Sequence, residues 1–179
     1  PRDQRECRDP SRPGVVVGRY RQANEADIDA AVASAQQDEA GWRRRSHGER
    51  AEILRQVAHE LRSARGELMG AALADGGKIL TESDPEVSEA VDFVEFYTKT
   101  AEFWHERPGM RARGRGVVAV VSPWNFPIAI PCGGIAAALA AGNTVILKPA
   151  SDTVLVAHEL CQCFWRAGVP AQALQMVPC

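Results

Sequence analysis

The sequence predicts an open α/β fold, the first part of a doubly wound parallel sheet preceded by several helices. Three observations carry this expectation. Two short apolar runs, Val117–Val121 and Thr144–Leu147, are rich in β-branched residues and bounded by glycine, lysine and proline, as strands buried on both faces of a parallel sheet are. The segment 128–141 between them is rich in alanine, whose small side chain lets a helix lie close to a sheet, and Gly142-Asn143 stops it. The long stretch ahead of both runs carries apolar residues at three- and four-residue spacing, the period of helices.

Residues 1–23 read as an N-terminal arm with one short strand, Val15–Tyr20, after the turn at Pro13-Gly14. Residues 24–109 read as the helical part. Asn24 caps the first helix with Asp27 in the capping-box position. Ile28, Ala31, Val32 and Ala35 form its apolar stripe, and Gln36, Gln37 and Asp38 its polar face. Ser46-His47-Gly48-Glu49 is a second capping box, opening an amphipathic surface helix through Ile53, Leu54, Val57 and Leu61. A helical stretch from Leu68 to Ala74 breaks at Asp75-Gly76-Gly77. The longest helix is expected to start at Asp84-Pro85, with Asp as N-cap and Pro in the first helical position. Val87, Val91, Val94, Tyr97, Ala101 and Trp104 mark its inward face, and Pro108-Gly109 ends it.

Residues 110–179 then read as a β-α-β-α-β unit. A polar connector, 110–115, leads into the two strands and their helix. A further helix follows from Thr153 to Arg166, closed by Gly168-Val169-Pro170, and a last short strand spans Leu174–Val177.

The composition narrows the functional classes. A hydrophobic share of 45% with 25% charged residues is that of a soluble globular chain. A net charge of -2 gives no electrostatic reason to expect nucleic acid or an anionic membrane as partner. Arg43-Arg44-Arg45 lacks interleaved aromatics and reads as a solvated helix end. No apolar run is long enough to span a bilayer, and the charged opening PRDQRECRDP is not a secretory signal. The chain starts without an initiator methionine, which reads as the beginning of a fragment. The five cysteines follow no framework spacing, which points to a reducing cytoplasm. Cys161 and Cys163 would point roughly 200° apart on a helix, and the four histidines show no ligand spacing, so no metal is expected. Cys161, Cys163 and Cys179 read as buried thiols.

The candidate chemistry sits at the strand ends, where open α/β sheets bind ligands. Ser122-Pro123-Trp124-Asn125-Phe126-Pro127 is a turn fixed by two prolines around a lone amide. Asn125 either donates from this braced position to developing negative charge or hydrogen-bonds its own turn. Lys148, at the end of the second strand, suits a ribose hydroxyl or phosphate, or else sits in a surface ion pair. Trp124 lines a ligand or fills the core. Cys132, near a helix start that could lower its pKa, is the tempting nucleophile, but no His or acid is visibly paired with it. The G-x-G-x-x-G dinucleotide fingerprint is absent.

SPWNFP followed by AALAAGNTVILKPAS resembles the aldehyde dehydrogenase superfamily, in a long ungapped match. More narrowly, the run from Ser122 to Val169 is similar to the L-glutamate γ-semialdehyde (1-pyrroline-5-carboxylate) dehydrogenase part of bifunctional proline-utilisation proteins. The resemblance extends from about Pro10 onward and takes in GGKIL around Lys78 and the segment 86–97. It implies a Rossmann-like cofactor domain that binds its dinucleotide without the usual fingerprint. It implies that Asn125 is catalytic, stabilising the oxyanion formed when a thiol attacks the aldehyde. Ser122, Pro123, Trp124, Lys148, Pro149, Ala150 and Ser151 would bind the cofactor, NAD with NADP not excluded. Ser151 stands where many relatives have a Glu on the adenosine ribose, and Cys179 where many have a Gly.

The family's nucleophilic Cys in a GQxC context and its Glu in an ELGG context do not occur here. The chain is therefore expected to be the first portion of a cytoplasmic, homo-oligomeric dehydrogenase, inactive alone, whose parent could be fused to a proline dehydrogenase domain. Two alternatives stand: another subclass, such as one using succinate semialdehyde, and a non-catalytic nucleotide-binding module.

Overall fold

In the structure, a computed structural model that describes residues 3–179, the chain begins with two strands where the sequence predicted one. β1 (Gln4–Arg8) pairs antiparallel with β2 (Val16–Arg21). β1 reads QRECR, so its charges hide it from any hydrophobic pattern, and only Cys7 is buried.

α1 (Glu25–Gln37) carries the predicted reciprocal cap. The Asp27 N–H donates to the Asn24 side chain at 3.0 Å, and the Asn24 N–H donates to the Asp27 carboxylate at 3.1 Å. Asp38, expected on the polar face, is instead buried. Its carboxylate accepts from the N–H groups of Trp42 and Arg43, both at 2.9 Å, which shapes the 3₁₀ turn Trp42–Arg44 and seats Trp42 in the core. α2 (His47–Ser63) opens at the predicted Ser46–Glu49 box and buries Leu54, Val57 and Leu61 against α4 and α6. α3 (Arg65–Gly76) ends at Gly77, whose φ of +63° is the left-handed stop that glycine adopts without strain.

The longest helix, α4 (Leu80–Glu106), starts more than a turn before the predicted Asp84-Pro85 boundary. Ile79 occupies the N-cap position and Pro85 lies inside the helix. A proline this near the start removes only one helical hydrogen bond. The extra turn is anchored by tertiary contacts, with Ser83 and Glu86 both buried. The inward face runs through Val87, Val91, Val94 and Thr98. Trp104, expected inward, is 42% exposed and makes an edge contact with Phe103.

β3 (Val117–Val121), α5 (Ala129–Ala140), β4 (Thr144–Lys148), α6 (Val154–Arg166) and β5 (Leu174–Met176) follow in the predicted order and form a parallel sheet β3-β4-β5. Alternation puts Val145, Leu147 and Leu174 into the main core with α5 and α6. α1 packs on the other side, where Thr144 Oγ1 donates to the Ala35 carbonyl at 3.0 Å and Gln175 Nε2 to the Ala31 carbonyl at 2.8 Å. Helices thus cover both faces, as a doubly wound sheet requires. The expected two-sided burial holds for β4 but not for β3, which pairs on one side only and leaves Ala119 and Val121 exposed.

α5 packs most closely against α4. A Cβ on Gly133 would meet Phe93 at 3.1 Å, and one on Gly134 would meet Val120 at 3.1 Å. These two glycines let the helix lie tight between α4 and the sheet.

Candidate functional site

β3 and β4 end level with each other, Val121 opposite Lys148. The Ser122 N–H donates to the Lys148 carbonyl at 3.1 Å, and the Ser122 hydroxyl reaches the same oxygen at 3.5 Å. This brings the sequence-predicted residues 122–125 and 148–151 together on one ledge at the carboxyl ends of adjoining parallel strands. Ser122 and Pro149 are buried within it, Pro123, Lys148 and Ala150 are half-buried, and Trp124, Asn125 and Ser151 are exposed. Trp124, at 59% exposure, is not a core aromatic. Lys148 has no ion-pair partner among the described residues. An accessible ammonium and a hydroxyl beside two strand ends fit the hydroxyls and phosphates of a dinucleotide.

The Asn125 amide makes no hydrogen bond among the described residues, so it does not close its own turn. It is an accessible donor on a braced loop. Its backbone is held from the opposite side. Lys78 Nζ donates to the Asn125 carbonyl at 3.0 Å and to Glu86 Oε2 at 2.7 Å, and lies 3.9 Å from the centroid of the Phe126 ring. Glu86 Oε1 in turn accepts from the N–H groups of Ile128 and Ala129, at 2.8 and 3.0 Å, where α5 begins. Glu86 is only 2% exposed.

Sequence reasoning gave neither Lys78 nor Glu86 a role. The available signal was Glu86 itself, which stands in step with Ala90 and Val94 on an otherwise apolar stripe. A carboxylate there must find partners. Between the loop and α4 lies a cavity of about 530 Å³, walled by Trp124, Asn125 and Phe126 on one side and by Gly77, Glu86 and Glu89 on the other. The cavity of about 340 Å³ between α2 and α4 touches none of the predicted site residues.

The four buried cysteines, Cys7, Cys132, Cys161 and Cys163, are poor nucleophiles. Cys132 is fully buried, its Sγ donates to the Ala90 carbonyl at 3.5 Å, and burial pushes its thiol well up, overriding any effect of the helix start. Burial likewise raises Cys161, and takes Cys7 and Cys163 up to about 11. Cys179, expected to be buried, is exposed at the end of the chain. Folding also creates a grouping that sequence spacing did not show. His47 at the start of α2 meets Glu102 and Glu106 at the end of α4, with possible ligand atoms within 4.8 Å of one another, and its ring stacks on His105 at 5.0 Å.

No helix among the described residues is long and apolar enough to cross a membrane. A sequence profile described as the aldehyde dehydrogenase family matches residues 1–179. The chain is 38% identical over 169 residues to the bifunctional protein PutA of Klebsiella aerogenes, covering 94% of this chain and 13% of that protein. It is 33% identical over 181 residues to a 1-pyrroline-5-carboxylate dehydrogenase of Staphylococcus haemolyticus, covering 94% of this chain and 35% of the relative. Among solved structures, a 1-pyrroline-5-carboxylate dehydrogenase from Thermus with bound NAD superposes with a TM-score of 0.90 at 30% identity, over 98% of this chain and 36% of that one. The chain thus spans about a third or less of the length of these relatives.

Proposed function

Since the chain belongs to the aldehyde dehydrogenase family, we propose that it supplies the oxyanion donor and part of the cofactor ledge of an enzyme that oxidises L-glutamate γ-semialdehyde to glutamate in proline breakdown. The observation that carries this reading is the Asn125 amide, accessible and without a hydrogen-bond partner on a loop fixed by Pro123 and Pro127. A donor that needs no reorganisation stabilises charge as it develops. The substrate assignment rests on the similarity to the PutA and 1-pyrroline-5-carboxylate dehydrogenase relatives.

In this reading the aldehyde enters the cavity between the loop and α4, and Asn125 Nδ2 donates to its oxygen as a thiol adds to the carbonyl. On the same reading that thiol comes from the intact enzyme outside this segment, which spans only about a third or less of its relatives, and four of the five cysteines here are buried. Lys148 and Ser151 bind the sugar and phosphate groups of the cofactor, with Ser122, Pro123, Trp124, Pro149 and Ala150 forming the backbone and apolar surface beside them. A nicotinamide cofactor, when bound, would supply the hydride acceptor for the oxidation. NAD is the cofactor proposed, by similarity to the Thermus enzyme. Fusion to a proline dehydrogenase domain is proposed by similarity to PutA.

The test is Asn125→Ala in the intact enzyme. Loss of an oxyanion donor lowers kcat by roughly 100-fold or more, and KM for NAD should stay within about twofold, because the amide faces the aldehyde. A fall in kcat of less than about tenfold would remove Asn125 from the reaction. Initial rates with L-glutamate γ-semialdehyde against succinate semialdehyde test the substrate assignment.

A further inference from the structure

The geometry points to Lys78 and Glu86 as a positioning clamp that sets the height and orientation of Asn125 and ties the catalytic loop to the start of α5. This inference rests on the oxyanion role proposed for Asn125.

The loop is fixed by hydrogen bond at only a few points. At its entry the Ser122 N–H is held by the Lys148 carbonyl. At its exit Ile128 and Ala129 donate to Glu86 Oε1. Between these ends the Asn125 carbonyl accepts from Lys78, whose charge also lies against the Phe126 ring. One carboxylate therefore joins three segments: α4, which carries it; the α3–α4 link, through Lys78; and the first turn of α5.

Both charged groups are withdrawn from water, with side-chain exposures of 10% for Lys78 and 1% for Glu86. Such a pair is sparingly hydrated, holds its geometry, and is strongly disturbed when one member is removed. Glu86 also stands at the N-terminus of α5, where a negative charge interacts favourably with the helix dipole. The Asn125 side chain itself stays unbonded and accessible, so the clamp acts through the backbone and leaves the donor amide available. Displacement of a catalytic group by about 1 Å is enough to cost up to about 100-fold in rate.

The experiment uses the intact enzyme. Lys78→Met alone strands a buried carboxylate and risks misfolding, so it is paired with Lys78→Met/Glu86→Gln, which removes both charges and keeps an acceptor for the Ile128 and Ala129 N–H groups. The folded double variant should lose about 10- to 100-fold in kcat with KM for NAD within about twofold. Adding Asn125→Ala to it should then cost less than about threefold further, because both changes act on one group.

A kcat within about twofold of wild type in the folded double variant would overturn the clamp. So would full additivity with Asn125→Ala, which would mark a merely structural role. Failure of Asn125→Ala alone to slow the reaction is a separate result, and strikes the oxyanion assignment instead.

Discussion

Single side chains do most of the joining in this protein. Asn143 accepts from the N–H groups of Arg115 and Gly116, at 2.6 and 3.0 Å, and donates to the Ala138 carbonyl at 3.0 Å, locking the connector to the end of α5. Glu49 does the local equivalent at α2, accepting from the Ser46 N–H at 2.7 Å and the Ser46 hydroxyl at 2.8 Å. These hydrogen bonds from Ser46 hold the Glu49 carboxyl below its ordinary pKa. Its stabilisation is therefore complete above the ordinary carboxylate range and is lost as pH falls through the lowered folded-state value. In the intact protein, Glu49→Gln should show a smaller drop in Tm between pH 6 and pH 3 than wild type does. Parallel Tm-against-pH curves would show that the charge on Glu49 adds nothing to the capping box. Both Glu49 and Asn125 were legible in the sequence, because a capping box and a proline-braced amide are patterns within a few residues. Glu86 was not, because its partners lie eight residues before it and 42 and 43 residues after it.

Among the elements, α5 shows how little a helix's own sequence says about its ends. No side chain of its own caps its N-terminus, and at its C-terminus only the following Gly142 and Asn143 act locally, through their N–H groups and the Asn143 amide. Its first N–H groups are satisfied by Glu86, while the Trp42 indole donates to the Leu139 carbonyl at 3.2 Å and Arg50 Nε to the Ala140 carbonyl at 3.3 Å. A cation at that end also complements the helix dipole, and Arg50 is nearly buried there. α4 has the reverse history. Asp84-Pro85 is a sound local start signal, yet the helix begins at Leu80, because one more turn brings Ser83 inside and Glu86 onto its partners. That start lacks a side-chain cap, and Ile79 has the extended backbone an N-cap needs, at φ -68° and ψ 156°. Ile79 is 55% exposed, so its loss removes little burial. Ile79→Ser should raise stability by about 1 kcal/mol, read as a higher urea midpoint with an unchanged slope. An unchanged or lower midpoint would mean that Ile79 contributes packing which its exposure does not show.

At the scale of the whole molecule, the sheet is unevenly covered. The face of Val145, Leu147 and Leu174 is closed, whereas Val121 at the β3 end is 69% exposed, and Phe96, Phe103 and Trp124 are also open to solvent. An unpaired strand edge with apolar side chains beside it favours association. A polypeptide of residues 1–179 produced alone should therefore elute as dimers or larger species in light-scattering chromatography at about 50 μM, a concentration at which exposed edges associate. A single monomeric peak would show that these surfaces are adequately solvated as they stand.

What the sequence determined by itself is what short-range physics controls. The β-branched runs, the Asn24 and Ser46 capping boxes, the Gly77 and Gly142 stops and the braced Ser122–Pro127 turn depend on backbone sterics and on bonds spanning three or four residues. They were enough for the α/β class, the order β3-α5-β4-α6-β5, the ledge of residues 122–125 and 148–151, and the resemblance to aldehyde dehydrogenases. The tertiary structure alone decided where long-range polar partners meet: Asp38 under Trp42, the ends of α5 on Glu86, Trp42 and Arg50, and Lys78 on the Asn125 carbonyl. Burial decided these, because a charged or polar group that packing removes from water must take whatever partner the fold brings to it. No spacing along the chain encodes which one that is.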